Sequence, residues 1–509
     1  MDQPVHPFRT DDCYDVVVIG GGVNGTASLR ELSRAGYSTL LVEAEDLASG
    51  ASGRSSRMLH CGLRYFETAN PIRDFLGSPQ RFLSALSMAR DAMEARAELA
   101  LDEEVATRAI ELSFPSWTDG PFPRWQISAG LRLLGMIGPT EPPLDRRARN
   151  ARETRQHPIG RHLRDQDKLT GMVSFREYLF SAPERLCVDN ALDAEAHGAE
   201  ICLQTRAKIR VQDANGLWRV ALEDIASGET REVRARSVLN MAGTWSDGVG
   251  DFGKRLICGT KGAHIIIRLP EGYAGRGIAT LHRGGHPFYG LPMGDDRFYF
   301  GPTETLYEGD ARDVRVDNED IDFLLGEANH LLPGLGLKRH HVEQCWAGVR
   351  PLTSDPRYPL GARARTIHDL APQGFDNVLA MTGGPLMSHR SAGRLMLKEV
   401  CQRIGAPRDA ARSGQRPETN GAASADPAIH AVKYEHAFDL NGVLSKRTGT
   451  TWTALADRPT AAQAAYKIAP LLSWDEARTD NEISQFLARQ AQEFGLPTET
   501  DSIRNISES

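Results

Sequence analysis

Residues 14–43 read "YDVVVIGGGVNGTASLRELSRAGYSTLLVE". Tyr14 to Ile19 is a short β-branched apolar run, long enough for a buried parallel strand. Gly20, Gly22 and Gly25 follow at G-x-G-x-x-G spacing. In such a turn the first glycine allows the tight bend and the second lets the backbone approach a pyrophosphate. The third lets the helix pack on the strand. Leu29, Leu32 and Ala35 share one face of the helix that follows, and Gly36 ends it. A second strand, Tyr37 to Val42, leads into Glu43, an acid placed to accept hydrogen bonds from a ribose 2′-OH and to repel a 2′-phosphate. A glycine-rich structural turn would explain the triplet alone. Strand, triplet, helix, strand and acid in register specify a nucleotide-binding βαβ unit.

The chain has 509 residues, enough for two or three domains and a large core. It is 40% hydrophobic and 25% charged, the balance of an ordinary globular protein. A net charge of −7 argues against nucleic acid as a partner. The seven cysteines form no C-x-x-C pair and no metal-ligand spacing, so reduced thiols, no metal site and a cytoplasmic location are expected. The opening "MDQPVHPFRTDDC" has no apolar h-region, and no run of 18 apolar residues predicts a membrane span.

Further along, residues 45–66 ("EDLASGASGRSSRMLHCGLRYF") have loop composition directly after the nucleotide unit, where doubly wound proteins keep their ligands. Residues 78–112 have helical spacing, and 113–164 read as irregular. "LWRVALED" and "GETREVRARSVLNMAG" alternate as antiparallel strands do. "GAHIIIRL", "HPFYGLPM" and "RFYFGPT" predict a further sheet. Residues 407–427 read as a Pro/Gly/Ala/Ser-rich linker, and 428–509 as a small α-helical C-terminal domain.

Two more glycine elements follow strands: "SVLNMAGTWSD" (237–247) and "FDNVLAMTGGPLMSHRSAGRLM" (375–396). Three separated backbone turns on one ligand suit an extended FAD better than NAD. At this point the chain resembles the FAD-dependent glycerol-3-phosphate dehydrogenase family, within the wider glycine/D-amino-acid-oxidase type of flavoprotein. "EDLASGASGRSSRMLHCGLRYFE", "LNMAGTWSD", "KGAHIII", "GVRPL", "TGGPLMSHR" and the C-terminal "AVKYEHAFDLNGVLSKRT" carry the resemblance. It implies an α/β fold: a Rossmann-like doubly wound FAD-binding domain, an antiparallel-sheet substrate domain and the helical C-terminal domain. The oxidoreductase would occupy 10–406, its FAD-binding parts near 10–75, 165–255 and 345–406.

The same resemblance implies one non-covalent FAD, held by Gly20, Gly22, Gly25 and Glu43, by Ser55, Ser56 and Leu59 beside the pyrophosphate and flavin, by Gly243, and by Gly383 and Gly384 against the flavin ring. It implies His264 in "KGAHIII" and Arg350 in "GVRPL" as catalytic residues. An imidazole titrates near neutrality and suits a base, whereas a guanidinium keeps its proton and suits a developing alkoxide. Arg64 and Tyr65 match the substrate pocket, Arg64 as an anion anchor, and His389 joins them as a substrate contact. Two departures stand out. The family's lysine after "TGG" is Pro385 here, and the family's arginine after "RPL" corresponds to Arg363, Arg365 or His368. The reading that follows is oxidation of a secondary alcohol of a small anionic polyol derivative, with electrons passing to flavin and then to quinone or another acceptor. An oxidase of hydroxy acids, amines or amino acids, and a flavoprotein without catalysis, share the motifs. "FPRWQISAGLRLLGMIG" (122–138) suits a helix at a membrane surface on the cytoplasmic side, or a core-packed one.

Overall fold

The computed structural model describes residues 13–66, 77–270, 272–294, 296–408 and 426–497. Its first sheet is built on four adjacent parallel strands. Cys13–Ile19 lies between Thr39–Val42 and Thr230–Asn240, and Val378–Thr382 flanks the latter. Glu200–Cys202 extends one edge in parallel, and Thr366–Asp369 the other in antiparallel sense. The hairpin Thr205–Gln212 and Trp218–Asp224 adds to the outer end of Thr230–Asn240.

Both faces of these strands are buried, which is why they read as continuous apolar runs. Leu41, Val18, Leu239 and Leu379 line up across one face and are fully buried, while Leu40, Val17, Val238 and Val378 do the same on the other. The fingerprint helix Val23–Arg34 packs on the first face against Pro183–Ala196 and His389–Ile404. All three glycine turns leave the C-terminal ends of parallel strands, the edge where such sheets bind ligands.

The second sheet has eleven strands and is antiparallel except where Arg276–Leu281 runs alongside Thr107–Trp117. At its centre Ile257–Arg268 pairs with Val342–Asp355. Alternation splits its core in two. Ala263, Ile265, Ile267, Phe298 and Phe300 face the helix Asn318–Leu331. Ile266, Tyr299 and Trp346 face Met93 and Leu131 of the helices Pro79–Ala100 and Arg124–Ile137.

Some expectations need correction. Helical spacing over 78–112 overruns the helix, which ends at Ala100; Asp102 accepts the Glu104 N–H at 3.0 Å in a turn, and Thr107–Trp117 is a strand. Residues 113–164 are not irregular throughout. They include Arg124–Ile137 and Ala151–Gln156, the second opened by a capping box of Asn150 and Glu153. Leu169–Phe180, inside 165–255, and Val342–Asp355, mostly inside 345–406, hydrogen-bond in the second sheet. Buried side chains of Leu169–Phe180 divide between neighbouring cores: Val173, Phe175 and Leu179 join the one around Trp346, and Tyr178 and Phe180 the one under the first sheet. Of the expected linker, 409–425 lies outside the described residues. Beyond it, Pro427–Tyr434, Arg458–Ile468 and Glu476–Phe494 enclose a small core around Leu440, Val443, Ile468 and Phe486. No helix among the described residues is long and apolar enough to cross a membrane.

Candidate active site

The three fingerprint glycines differ in what they touch. Gly20 has φ +114°, and a Cβ there would stand 2.4 Å from the Met241 carbonyl oxygen. A Cβ on Gly25 would be 2.0 Å from the Gly20 oxygen. Turn geometry and helix packing forbid a side chain at both. Gly22 is different. Its φ of −75° and ψ of 173° suit any residue, and its Cβ would meet only Ser52 Oγ, at 3.3 Å. Nothing in the protein backbone explains a glycine there, whereas close approach of a ligand does.

Glu43 accepts the Gly21 N–H at 2.6 Å and the Glu45 N–H at 2.8 Å. Burial pushes its carboxyl up to about 7, against those two donors. Ser52, not singled out from sequence, accepts the Val23 N–H at 3.0 Å and so fixes the loop to the first turn of the helix. Gly243, with φ +58°, opens the turn after Thr230–Asn240, and a Cβ on it would meet open space. Gly383 and Gly384 have φ +66° and +81°. The Gly383 N–H bonds the Pro351 carbonyl at 2.8 Å, which ties the "TGG" turn to the strand carrying Arg350. Ser55 accepts the Arg57 N–H, and the Ser56 carbonyl accepts from the Tyr299 hydroxyl. Leu59 is fully buried in the first sheet's core and pairs with Tyr178.

Across the central strand pair of the second sheet, Thr260 stands opposite Arg350, Gly262 opposite Gly348, and His264 opposite Trp346. Alternation puts all six on one face. The glycine pair clears the space between. The Arg350 guanidinium lies over Gly262, where a Cβ would be 2.3 Å from Nη2, and Nη1 reaches the Lys261 carbonyl at 3.4 Å. Over Gly348 lies the Arg54 backbone. His264, 2% exposed, stacks on Trp346 with centroids 4.4 Å apart and planes 7° apart. Neither its ring nitrogens nor Trp346 Nε1 has a hydrogen-bond partner among the described residues. Burial, with the Arg350 cation adding to it, holds the imidazole well below its usual range, so it is neutral at neutral pH.

Tyr65 is half-buried and sets its ring edge-on to His60 at 5.7 Å. Arg64 falls in the turn Leu63–Phe66, but its side chain lies outside the described residues. His389 is enclosed at 1% exposure, its Nδ1 bonded to the Leu386 carbonyl at 3.1 Å. Burial, then the Arg390 charge, pushes it down to about 3. Of the three candidates for the family arginine, Arg363 pairs with Glu304 and His368 bonds Thr382. Arg365 stands at the "TGG" turn: its stem lies 3.2 Å from where a Gly384 Cβ would be, and its guanidinium donates to the Ser388 carbonyl at 2.8 Å and Ser391 Oγ at 3.0 Å.

A doubly wound sheet with three glycine turns at one edge, an open Gly22 and an acid after the second strand fits FAD. The family described as FAD dependent oxidoreductase matches residues 15–398, and the chain belongs to it. Among particular relatives, glycerol-3-phosphate dehydrogenase of Synechocystis sp. is 27% identical over 414 residues, covering 77% of this chain and 71% of its own. The aerobic glycerol-3-phosphate dehydrogenase of Staphylococcus epidermidis is 26% identical over 401 residues, covering 77% and 68%. The solved glycerol-3-phosphate dehydrogenase from Bacillus halodurans complexed with FAD superposes at TM-score 0.68 with 19% identity, covering 95% of this chain and 96% of that one. Glycine oxidase from Geobacillus kaustophilus superposes at 0.53 with 22% identity, covering 79% and 98%. The protein is thus an FAD-dependent oxidoreductase.

Proposed function

We propose that the protein oxidises the secondary alcohol of a small anionic polyol derivative, of the glycerol 3-phosphate type, to a ketone. The observation that carries this reading is the shared face of His264 and Arg350, separated by the glycine pair Gly262 and Gly348. Bound FAD supplies the two-electron acceptor, beyond which electrons pass to quinone or another acceptor. His264, neutral and with both ring nitrogens unpartnered among the described residues, takes the hydroxyl proton. Arg350 keeps its charge and stabilises the alkoxide that develops. Arg64 and Tyr65 hold the anionic end, with His389 backing the turn from inside. The test is anaerobic flavin bleaching across a panel of polyol phosphates, hydroxy acids, amines and amino acids. Reduction by amines alone would replace this reading with an amine oxidase.

Specificity within the class turns on Pro385. A buried charge-assisted contact is worth roughly 1.5–3 kcal/mol, so its loss makes glycerol 3-phosphate a poor substrate relative to longer polyol phosphates or hydroxy acids. Pro385 has φ −79° and ψ 146°, extended geometry that lysine adopts freely, and its carbonyl anchors Ser388. Pro385→Lys therefore keeps the turn and is expected to raise kcat/KM for glycerol 3-phosphate by about one to two decades. Efficient turnover of glycerol 3-phosphate by the unmodified protein refutes the argument.

The helix Arg124–Ile137 supports a second reading, that the protein docks on a membrane surface. Ile127, Leu131 and Leu134 face the core, yet Trp125 is 62% and Met136 76% exposed, and Ala129 and Arg132 share their outward face. Trp, Met and a flanking cation suit the interface of anionic lipid. Co-sedimentation with phosphatidylglycerol vesicles is expected for the parent protein and lost in the Trp125→Ser, Met136→Ser double variant. Equal sedimentation of both variants, or of neither, rules the helix out.

A further inference from the structure

The C-terminal helical unit meets the cofactor loop with buried charge. Gly442–Arg447 is a single π-helical segment, a rare irregularity frequent at functional sites. It carries two adjacent cations inward. Lys446, 7% exposed, donates from Nζ to the Ala48 carbonyl at 2.9 Å. Arg447 grips the Asp46 carboxylate with both terminal nitrogens, Nη2 to Oδ1 at 2.8 Å. A few residues on, the Arg57 guanidinium lies 4.2 Å over the Trp452 ring, and Trp452 stands edge-on to Trp346 at 5.4 Å.

The gripped loop is the one that touches the nucleotide turn. The Ala48 N–H bonds the Gly21 carbonyl at 3.1 Å, and Ser52 Oγ accepts the Val23 N–H. One residue, Ala48, thus binds the fingerprint with its N–H and the C-terminal unit with its C=O. Gly53 closes the turn: a Cβ there would be 2.3 Å from the Ala48 oxygen and 3.1 Å from Lys446 Nζ. Lys446 occupies the space the loop leaves around that carbonyl.

We infer that Lys446 and Arg447 are positioning residues for FAD, and that the C-terminal unit is a working part of the cofactor site rather than an appended domain. They hold residues 46–53 in the shape that presents Ser52 and the glycine turn to the pyrophosphate. A buried ammonium or guanidinium left without its partner is costly, so the loop and the π segment stay engaged or release together. The inference does not depend on which substrate is oxidised.

The test titrates FAD into apoprotein of the full chain, using Lys446→Met, which keeps the stem and loses the donor to Ala48, and Asp46→Asn, which removes the charge that Arg447 grips. Flavin fluorescence gives the FAD dissociation constant, apoprotein melting reports global stability, and hydrogen exchange of the holoprotein follows residues 46–54. The dissociation constant is expected to rise roughly ten-fold or more in each variant, with faster exchange confined to 46–54, at temperatures well below apoprotein melting. If Lys446→Met does not fold, Asp46→Asn carries the test alone. FAD affinity within about two-fold of the parent in folded Asp46→Asn, or weaker binding with unchanged exchange at 46–54, overturns the inference.

Discussion

Gly22→Val is expected to yield a folded protein that binds no detectable FAD. The backbone at this position, φ −75° and ψ 173°, lies where β-branched residues are comfortable. A Cβ there meets Ser52 Oγ alone, at 3.3 Å, and no packed backbone. The valine methyls fill the room a pyrophosphate needs at the helix N-terminus. Circular dichroism should match the apoprotein of the parent, while flavin absorbance after reconstitution should be absent. Gly25→Val is the contrast: its side chain would strike the Gly20 carbonyl, so loss of soluble protein is expected there. Tight FAD binding by Gly22→Val would falsify the placement of the cofactor on this turn.

His264→Ala is expected to keep its FAD and lose about two to four decades of substrate-driven flavin reduction, the usual range for a missing general base. The pH profile sharpens the test. A free imidazole would titrate near neutrality, but burial and Arg350 move His264 well below that range. His264 is therefore already deprotonated at pH 6–8, and its contribution as the proposed base should be flat there, falling only in acid. In the variant that acid limb disappears. The same depression affects stability: a histidine neutral when folded and near 6.5 when unfolded contributes fully above about 6.5, and less as pH falls toward its folded value. His389, pushed down to about 3, acts in the same sense over that window. Near-normal reduction rates in His264→Ala would assign the proton to Arg350 or water.

Those parts of the candidate site whose logic is local are legible in the sequence. Gly20, Gly22, Gly25 and Glu43 follow one another within a strand, a turn and a strand, so spacing alone places them. His264 and Arg350 were found by motif, and their common face became visible only through the register of two strands some eighty residues apart. Trp346 gave no signal, because its stacking on His264 is a cross-strand contact. Lys446 and Arg447 carry no signal of their own in "SKRT", because their partners lie 398 and 401 positions away. The strand Thr107–Trp117 was lost behind an Ala/Glu/Leu-rich stretch whose helical period runs past the helix end. Long-range pairing, not composition, decides each of these.

The order of strands in the first sheet also bears on how the molecule is made. Cys13–Ile19 is made before its neighbour on one side, Thr230–Asn240, which in turn waits for Val378–Thr382. Pairings this distant in sequence close late, because large loops must be ordered before any contact rewards them. The loop at 46–53 then waits longer still, for the segment at 442–447. Synthesis therefore delivers the nucleotide motif well before the segments that wall it in, so cofactor capture waits for strands and contacts made hundreds of residues later.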